Sequence, residues 1–546
     1  MFVEVYLLLV FLAARLFAAP VATPSVKLDN GTFYGKSDGN VQRFYGISFA
    51  KPPVGDLRFR LPQTVPSYSG TFTATDFGLS CPQQDIKLPI LTGIAADAAN
   101  YILSSIYGQV FPDSEDCLTL NVVKPATATS SSKLPVVVWI FGGGFQLGSP
   151  TIYDGGVIVE RSIDLKMPVV YVSINYRLAG FGFLPGKEVK DAGIGNLGLH
   201  DQREAFRWIH KYINQFGGDP QKVTIWGESA GAISASLHMV SNGGDTQGLF
   251  RAAFMESGAP IPVGDITNGQ KYYDTLITET GCSSAADTLA CLRTVPYSKL
   301  KAAINLAPGV FAYQSLNLAW VPRVDGVFLT DNPQKLLQQG KVANIPYVTG
   351  NNDDEGTLFS LSTTNITTTA QLKTWMQTVF DPVMTSSTVD KLMDLYPHDI
   401  TQGSPYDTSI LNAITPQFKR IAAFQGDAVF HGPRRWLLGN TVPKNPNVWS
   451  YLSKRFKALP VLGSVHASDI LNVYGGGEMT NYLIRFASTL DPNGNGLFDF
   501  QWPRYDLQSR QLLTFLDGLI PLDIQTDTFR EEPMAYLVQA TLAAPI

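Results

Sequence analysis

Residues 222–231 read Lys-Val-Thr-Ile-Trp-Gly-Glu-Ser-Ala-Gly, and this stretch carries the strongest fold signal in the chain. Residues 222–226 form an apolar, β-branched run, which is typical of a strand buried on both faces. The run leads directly into Gly-x-Ser-x-Gly around Ser229 and then into Ala- and Ser-rich helical sequence. So tight a turn needs small residues beside the serine, whose hydroxyl it presents at the carboxyl end of the sheet. The alternative is an ordinary glycine-rich turn, but the strand before and the helix after the motif disfavour it.

Further continuous apolar runs predict more buried strands. They cover Leu134 to Phe141, Val169 to Asn175 and Asn344 to Thr349. Helical patterns lie between them, as in Asp201 to Phe216, whose apolar residues repeat at helical spacing: Phe206, Ile209, Tyr212, Ile213 and Phe216. Short alternating segments from Lys27 to about Thr75 indicate an antiparallel start. The sequence therefore predicts an α/β fold with a large central, mostly parallel sheet flanked by helices.

The composition is that of a globular protein with a large core. Of 546 residues, 45% are hydrophobic and 16% charged, against about 25% charged in average soluble proteins. The 41 Lys and Arg against 46 Asp and Glu give a net charge of −5, which argues against a nucleic-acid partner. No linker, repeat or charge block divides the sequence. We therefore expect one domain over residues 20–546.

The amino terminus has the features of a secretory signal. Residues 6–17 form an apolar core too short to span a bilayer and lead into small residues. We interpret residues 1–19 as a signal peptide cleaved between positions 18 and 22, the alternative being a buried first helix. No later run has the length of a membrane helix. The sequence thus predicts a secreted, extracellular protein without a transmembrane segment, with glycosylation motifs at Asn30 and Asn365.

Four cysteines fit an oxidising compartment: Cys81, Cys117, Cys282 and Cys291. An even count in a secreted chain suggests two disulfides, and four cysteines allow three pairings. Joining Cys81 to Cys117 and Cys282 to Cys291 is the simplest pairing. A metal site is a poor alternative, because no Cys-x-x-Cys or clustered histidine accompanies them. We expect no metal and no organic cofactor.

A second glycine-rich stretch supplies what a nucleophilic serine requires. A serine hydroxyl needs a histidine to remove its proton, and a tetrahedral intermediate needs N–H donors for its oxyanion. The run Phe141–Phe145 has three central glycines, which let successive backbone N–H groups point to one spot. The N–H of Ala230 is a third candidate donor. A dinucleotide-binding turn is the alternative, but the run does not fit Gly-x-Gly-x-x-Gly.

Chain order narrows the choice of base. In folds with this serine turn, the serine comes first, then the acid, then the histidine. This order leaves His398, His431 and His466. His466 follows the apolar run from Leu459 to Leu462, which indicates a passage from a strand into a loop. His398 and His431 are interpreted as surface turn residues, so His466 is the predicted base.

The acid is expected just after the strand that ends at Thr349. The stretch 351–356 reads Asn-Asn-Asp-Asp-Glu-Gly and holds three adjacent carboxylates. A carboxylate bonded to the histidine would fix its tautomer and stabilise its cation. The pattern alone does not choose among Asp353, Asp354 and Glu355.

Four motifs together resemble one family. They are Glu-Asp-Cys-Leu-Thr-Leu-Asn at 115–121, Gly-Gly-Gly-Phe at 142–145, Gly-Glu-Ser-Ala-Gly at 227–231 and Asp-Glu-Gly-Thr at 354–357. With them the chain resembles the type-B carboxylesterase/lipase family, whose members have the α/β-hydrolase fold. It is most similar to the fungal lipases and sterol esterases of the Candida rugosa lipase kind, on three further stretches: 308–309, 400–405 and 416–420.

The resemblance assigns roles that the residue pattern leaves open. It implies a catalytic triad, a set of oxyanion donors and the two local disulfides: Ser229, Glu355 and His466; Gly143, Gly144 and Ala230; Cys81 with Cys117 and Cys282 with Cys291. It also implies an ester hydrolase that works through an acyl-enzyme without a cofactor.

The segment between Cys81 and Cys117 resembles the lid of the fungal lipases, within residues 82–116. Its apolar residues form one helical stripe that includes Ile102 and Ile106. Such a lid can cover an apolar pocket in water and turn the stripe toward a lipid surface. The alternative is a core helix that never moves. The expected partner is a lipid or other ester substrate at an oil–water interface.

These features predict a secreted serine hydrolase of long-chain fatty acid esters, either a triacylglycerol lipase, a sterol esterase or both. A carboxylesterase acting on small soluble esters is the nearest alternative. A non-catalytic adhesion or binding member of the family is the third interpretation, and the complete triad argues against it.

Overall fold

The computed structural model describes residues 23–85, 97, 112–497 and 499–545. Its strands are β1 (Ser25–Leu28), β2 (Asn30–Tyr34), β3 (Lys36–Asp38), β4 (Val41–Ser48), β5 (Ser69–Thr73), β6 (Thr119–Pro125), β7 (Leu134–Ile140), β8 (Val170–Ile174), β9 (Gly218–Glu228), β10 (Ala252–Glu256), β11 (Tyr347–Asn352), β12 (Val448–Ser453), β13 (Gln511–Phe515) and β14 (Leu522–Thr526). The predicted signal peptide and Ile102 and Ile106 of the predicted lid lie outside the described residues.

The α-helices of the described residues lie mostly between the strands. They span Gly155–Asp164, Ala179–Phe183, Lys187–Asp191, Leu197–Tyr212, Ala230–Val240, Gln270–Thr280, Thr288–Thr294, Tyr297–Ile304, Pro333–Gln338, Thr357–Ser360, Thr369–Trp375, Ser386–Leu395, Phe418–Gly426, Gly432–Thr441, Ile470–Val473, Glu478–Thr489 and Glu531–Ala543. The helix predicted for Asp201 to Phe216 is confirmed by Leu197–Tyr212 and the 3₁₀ turn Ile213–Phe216, and the five apolar residues of its pattern are all buried.

Eleven strands form one large sheet in the order β14-β13-β12-β11-β10-β9-β7-β8-β6-β4-β3. Its centre, from β8 through β7 and β9 to β13, is parallel, while β14 at one edge and β6, β4 and β3 at the other are antiparallel to their neighbours. Strands β8 and β10 are buried along their whole length, because helices pack against the sheet. The predicted α/β fold with a mostly parallel sheet is confirmed.

The antiparallel start expected from Lys27 to Thr75 is correct only in part. Strands β1 and β2 pair antiparallel, as do β3 and β4. Strand β5 instead pairs in parallel with β2, in a separate three-stranded sheet. Parallel pairing needs a long crossover connection, and the chain between β2 and β5 provides one through β3 and β4.

One large hydrophobic core extends from Val26 to Phe515 along the chain, and a smaller one lies among the helices around Trp375. This supports one domain, which stays a prediction. Asn30 opens β2 and Asn365 lies in a turn, and both are exposed, so each leaves room for the predicted glycan. Within the described part of the chain, no helix is long and apolar enough to cross a membrane.

The carboxyl ends of the parallel strands lie side by side along one edge of the sheet. This arrangement brings residues that are distant in sequence close together. Glu228 at the end of β9 lies in register beside Glu256 of β10, which in turn lies beside Gly350 of β11. The loops that leave these strand ends therefore meet at this edge. The loops that carry Glu355 and His466 are among them.

Candidate active site

Ser229 occupies the turn between β9 and the helix Ala230–Val240. Its backbone has φ 54° and ψ −124°, a conformation that residues other than glycine rarely adopt. A Cβ on Gly231 would lie 1.9 Å from the carbonyl oxygen of Ile140, and one on Gly227 would lie 2.5 Å from the carbonyl carbon of Gly231. Glycine is required at both positions, because the helix passes this close to the end of β7. The tight turn that the motif predicts is present.

Ser229, His466 and Glu355 form one hydrogen-bonded chain. Nε2 of His466 lies 2.8 Å from Oγ of Ser229, and Nδ1 lies 2.5 Å from Oε2 of Glu355. An imidazole with its proton on Nδ1 donates to the carboxylate and accepts from the serine hydroxyl. All three residues are buried. The other carboxylate oxygen of Glu355 accepts the backbone N–H of Asn352 at 2.8 Å, which fixes the orientation of the acid.

The contacts of the three neighbouring acids differ, and this difference was not visible in the sequence pattern. Asp353 and Asp354 bind the ammonium of Lys457, at 2.6 and 2.7 Å. Of the three, Glu355 contacts His466. The partner that distinguishes each acid lies more than 100 residues away along the chain. A local motif therefore carries no signal for this choice.

The other two histidine candidates lie in different environments. His398 is exposed in a bend, as expected. The interpretation of His431 as a surface turn residue is wrong, because it is buried in the π-helical segment Asp427–His431. Burial holds the pKa of its imidazole well below the ordinary value. The run from Leu459 to Leu462 is a turn rather than a strand. Its proline has no backbone N–H to donate to a sheet. His466 therefore lies in a loop that begins after β12.

Gly143 and Gly144 lie in the turn after β7 and line the same cavity as Ser229. Gly143 has φ 107°, and a Cβ there would lie 2.2 Å from the carbonyl oxygen of Leu147, so the turn requires glycine. Ala230 is the first residue of its helix, where N–H groups have no carbonyl partner within the helix and the helix dipole favours negative charge. The assignment of these three amides as oxyanion donors stays a prediction.

An apolar cavity opens beside Ser229. Aliphatic and aromatic side chains make up most of its wall, among them Ile233, Val310, Phe311, Leu318, Phe359 and Phe430. The rings of Phe430 and Phe359 also pack against His466, with centroids 4.5 and 5.1 Å from that of the imidazole. The cavity therefore offers hydrocarbon contacts to a group bound at the serine, and two of its rings hold the imidazole in place.

Three further buried acids lie near this site, and no sequence pattern pointed to them: Glu228, Glu256 and Asp469. Oε1 of Glu228 lies 3.3 Å from Nε2 of His466, and its carboxyl oxygens have no hydrogen-bond partner among the residues that the structure describes. Burial, together with the charge of Asp469, raises the pKa of Glu228 well above its ordinary value. Burial also raises the pKa of Glu256 and of Asp469. The uncharged form of Glu228 is therefore favoured beside the imidazole.

We expect Glu228→Gln to lower kcat by less than about tenfold, which is about 1.4 kcal/mol of transition-state stabilisation. A neutral amide of the same shape replaces a carboxyl group whose neutral form burial favours. Steady-state kinetics on a soluble ester at pH 7 measure this, with Glu228→Ala as the control that also removes volume. A loss of about 10³-fold or more in Glu228→Gln would instead show that the site depends on the Glu228 anion.

The four cysteines form two disulfides, Cys81 with Cys117 and Cys282 with Cys291. The first closes the segment that contains the predicted lid, and the second joins residues nine positions apart. In the ranges 23–85, 112–497 and 499–545 and at residue 97, no group of three or more His, Cys, Asp or Glu side chains is placed to hold a metal ion.

Known proteins resemble the chain over nearly its whole length. The family model described as Carboxylesterase family matches residues 22–528. Secreted lipase 1 of Botryotinia fuckeliana is 43% identical over 95% of this chain and 93% of that protein, and Lipase 2 of Diutina rugosa is 44% identical over 95% and 96%. The crystal structure of Aspergillus niger EstA matches with a TM-score of 0.82 at 27% identity, covering 96% of this chain and 99% of that chain.

One similar protein is named as inactive. The inactive carboxylesterase-like protein VdtD of Byssochlamys spectabilis is 31% identical over 86% of this chain and 80% of that protein. The matched model and the two lipases nevertheless agree with the family that the four sequence motifs indicated, and the likeness to EstA agrees with the α/β-hydrolase fold. The chain belongs to the carboxylesterase family.

Proposed function

We propose that the chain is a secreted serine hydrolase that cleaves carboxylic esters of long-chain fatty acids, either as a triacylglycerol lipase, a sterol esterase or both. The observation that carries the proposal is the hydrogen-bonded chain of Ser229, His466 and Glu355 at the wall of an apolar cavity. The names of the two lipases that match over nearly the whole chain support the substrate class, and one of those names supports secretion.

In the first half of the proposed reaction, His466 removes the proton of Ser229 while Oγ attacks the carbonyl carbon of the ester. The carbonyl oxygen becomes an oxyanion, which the N–H groups of Gly143, Gly144 and Ala230 stabilise. The carboxylate of Glu355 stabilises the imidazolium that forms.

The intermediate then collapses as His466 gives its proton to the departing alcohol oxygen, and the acyl group stays on Oγ of Ser229. In the second half, a water molecule gives a proton to His466 and attacks the acyl carbon. The same N–H groups stabilise the second oxyanion. The bond to Oγ breaks, His466 returns the proton to Ser229, and the fatty acid is released.

The cavity wall supports a hydrocarbon acyl chain as the bound group. Burying a methylene group contributes about 0.8 kcal/mol, so each carbon that fits against side chains such as Phe311 and Leu318 adds to binding. A short acyl group would make fewer of these contacts, so the apolar wall supports an esterase for small soluble substrates less well.

The geometry of the site argues against the non-catalytic alternative. Because an inactive relative exists, membership in the family does not by itself imply catalysis. An inactive protein would be expected to lack the nucleophile, the base or the acid. Here Ser229, His466 and Glu355 are all present and lie within bonding distance of one another.

One assay separates the candidates: hydrolysis of tributyrin, a long-chain triacylglycerol and a cholesteryl ester, each over a range of concentrations. We expect the rate on a long-chain ester to rise sharply once the substrate exceeds its solubility and forms an interface. If the rate showed no preference for long or aggregated substrates, the small-ester carboxylesterase would become the better assignment. If none of the three were hydrolysed, the non-catalytic alternative would hold.

A double variant in the predicted lid tests whether the lid causes the rise in rate at a lipid interface. Ile102→Asp with Ile106→Asp is expected to weaken the rise at the interface and to leave hydrolysis of a short soluble ester largely intact. Each isoleucine would contribute about 1.5–3 kcal/mol when buried, so exposing the two requires an apolar surface such as lipid. A double variant that fails to fold would show that the stripe is ordinary core.

A further inference from the structure

The side chain of Asp354 joins the loop of Glu355 to the loop of His466. It is fully buried, and its Oδ2 accepts the backbone N–H of Ser464 at 2.8 Å. The backbone repeats the contact, because the N–H of Asp354 donates to the carbonyl oxygen of Ser464 at 3.0 Å, and Asp354 forms a parallel bridge with Val465. Ser464 and Val465 directly precede His466. These contacts therefore fix the two residues that lead into His466.

Three more donors converge on the same carboxylate. Oδ1 accepts the hydroxyl of Ser404 at 2.9 Å and the backbone N–H of Tyr406 at 2.8 Å, and Oδ2 also accepts Lys457 at 2.7 Å. Both oxygens are thus fully used. The fit at the junction is close, since a Cβ on Gly463 would lie 2.3 Å from Oδ2. The carboxylate has little freedom to move relative to the histidine loop.

The hydrogen-bond donors around Asp354 suit its ionised form. Burial and the neighbouring Asp353 raise the pKa of Asp354 above its ordinary value, although Lys457 and the N–H of Tyr406 act in the opposite direction. Burial alone would lower the pKa of Lys457. The two carboxylates of Asp353 and Asp354 outweigh the effect of burial and raise this pKa above its ordinary value. Since the four contacts of Asp354 are all with donors, the anion is the form that satisfies them.

We propose that Asp354 is a positioning residue for ester hydrolysis, which holds the histidine loop against the acid loop so that Nδ1 of His466 meets Glu355. The proposal rests on the function proposed above for Ser229, His466 and Glu355. Asp354 has no place in the proton transfers themselves. A loop shift of about 1 Å at the imidazole is enough to reduce turnover by about 10²-fold, because proton transfer depends on alignment.

Asp353 is the matched control that the chain offers. It is adjacent in sequence, is buried and binds the same Lys457 at 2.6 Å. Its backbone N–H donates to the carbonyl oxygen of Ser453 in β12, so it is attached to the sheet. Asp354→Ala and Asp353→Ala each remove one carboxylate from Lys457, and the first also removes the acceptor of the Ser464 N–H, the Ser404 hydroxyl and the Tyr406 N–H.

For Asp354→Ala we expect kcat on a soluble ester to fall by about 10²-fold while KM changes by less than about twofold, because the acyl cavity is untouched. For Asp353→Ala we expect kcat to stay within about threefold of wild type. The proton NMR resonance of the imidazole Nδ1–H, which lies far downfield when the bond to Glu355 is short, should move upfield in Asp354→Ala and stay in place in Asp353→Ala.

Equal losses in the two alanine variants would assign the effect to the Lys457 ion pairs and overturn the proposal, as would an unchanged kcat in Asp354→Ala. If Asp354→Ala does not fold, Asp354→Asn and Asp353→Asn decide the matter, with a smaller expected loss of about tenfold in the first alone. An unchanged kcat and resonance in Asp354→Asn would refute the positioning role. The resonance is read without turnover, so it tests Asp354 even if the wild-type protein hydrolyses no ester.

Discussion

Replacing Ser229 with alanine is expected to lower kcat/KM for ester hydrolysis by about 10⁴-fold or more without unfolding the protein. The substitution removes the oxygen that attacks the ester, and the base and the acid then have no nucleophile to activate. The hydroxyl makes its bond with His466, and the side chain lies at the wall of a cavity, so its loss leaves the packing of the turn intact.

Three measurements check this result. Kinetics on a chromogenic ester give the loss of activity, and thermal unfolding shows whether the fold survives. An organophosphate should label Ser229 alone, and mass spectrometry of the labelled peptide identifies the site. His466→Ala should match Ser229→Ala in severity, whereas His398→Ala, which alters an exposed bend, should leave kcat little changed. Activity near the wild-type level in Ser229→Ala would show that another residue is the nucleophile.

The second large effect is expected for Glu355→Gln, a loss of about 10⁴-fold in kcat. The carboxylate accepts the Nδ1 proton of His466, and this keeps Nε2 free to take the proton of Ser229. A glutamine amide in the same place can donate to Nδ1 and so favours the tautomer with its proton on Nε2. That tautomer cannot act as a base toward the serine.

Asp353→Asn is the control, because it makes the same chemical change two residues earlier, at an acid that binds Lys457. We expect its kcat to stay within about threefold of wild type. The two variants should differ in kcat far more than in KM, since neither acid lines the acyl cavity. A larger loss in Asp353→Asn than in Glu355→Gln would contradict the assignment of the acid.

Strands β7, β8, β9 and β11 of the parallel centre were predictable, because strands buried on both faces leave continuous apolar runs in the sequence. Strands β10, β12 and β13 were not predicted, and the sequence of β12, Val448–Ser453, contains two serines. Its Ser450 is stabilised in the interior by Arg434, whose guanidinium donates to Oγ at 2.9 Å. A buried polar residue of this kind is recognisable only when its partner is known, and the partner belongs to another element.

The candidate site was predictable where the chemistry depends on local geometry, as at Ser229 and the glycine run. It was not predictable where the decision depends on a distant contact. The choice of Glu355 over its two neighbours came from family resemblance, and in the structure it depends on His466 and Lys457. The burial of His431 was missed for a related reason, because a glycine and a proline beside it suggested a turn, whereas they continue a helix.

The spread of the site along the chain has a consequence for biosynthesis. Ser229 and His466 are 237 residues apart, so a ribosome adding about 5–20 residues per second delivers the histidine about 12–47 seconds after the serine. Throughout that interval a nascent chain carries the serine without the base that activates it. Hydrolysis can begin only when the strands from β11 to β12 have joined the earlier half of the sheet. The triad is therefore complete only in a chain that has been synthesised through His466 and has folded.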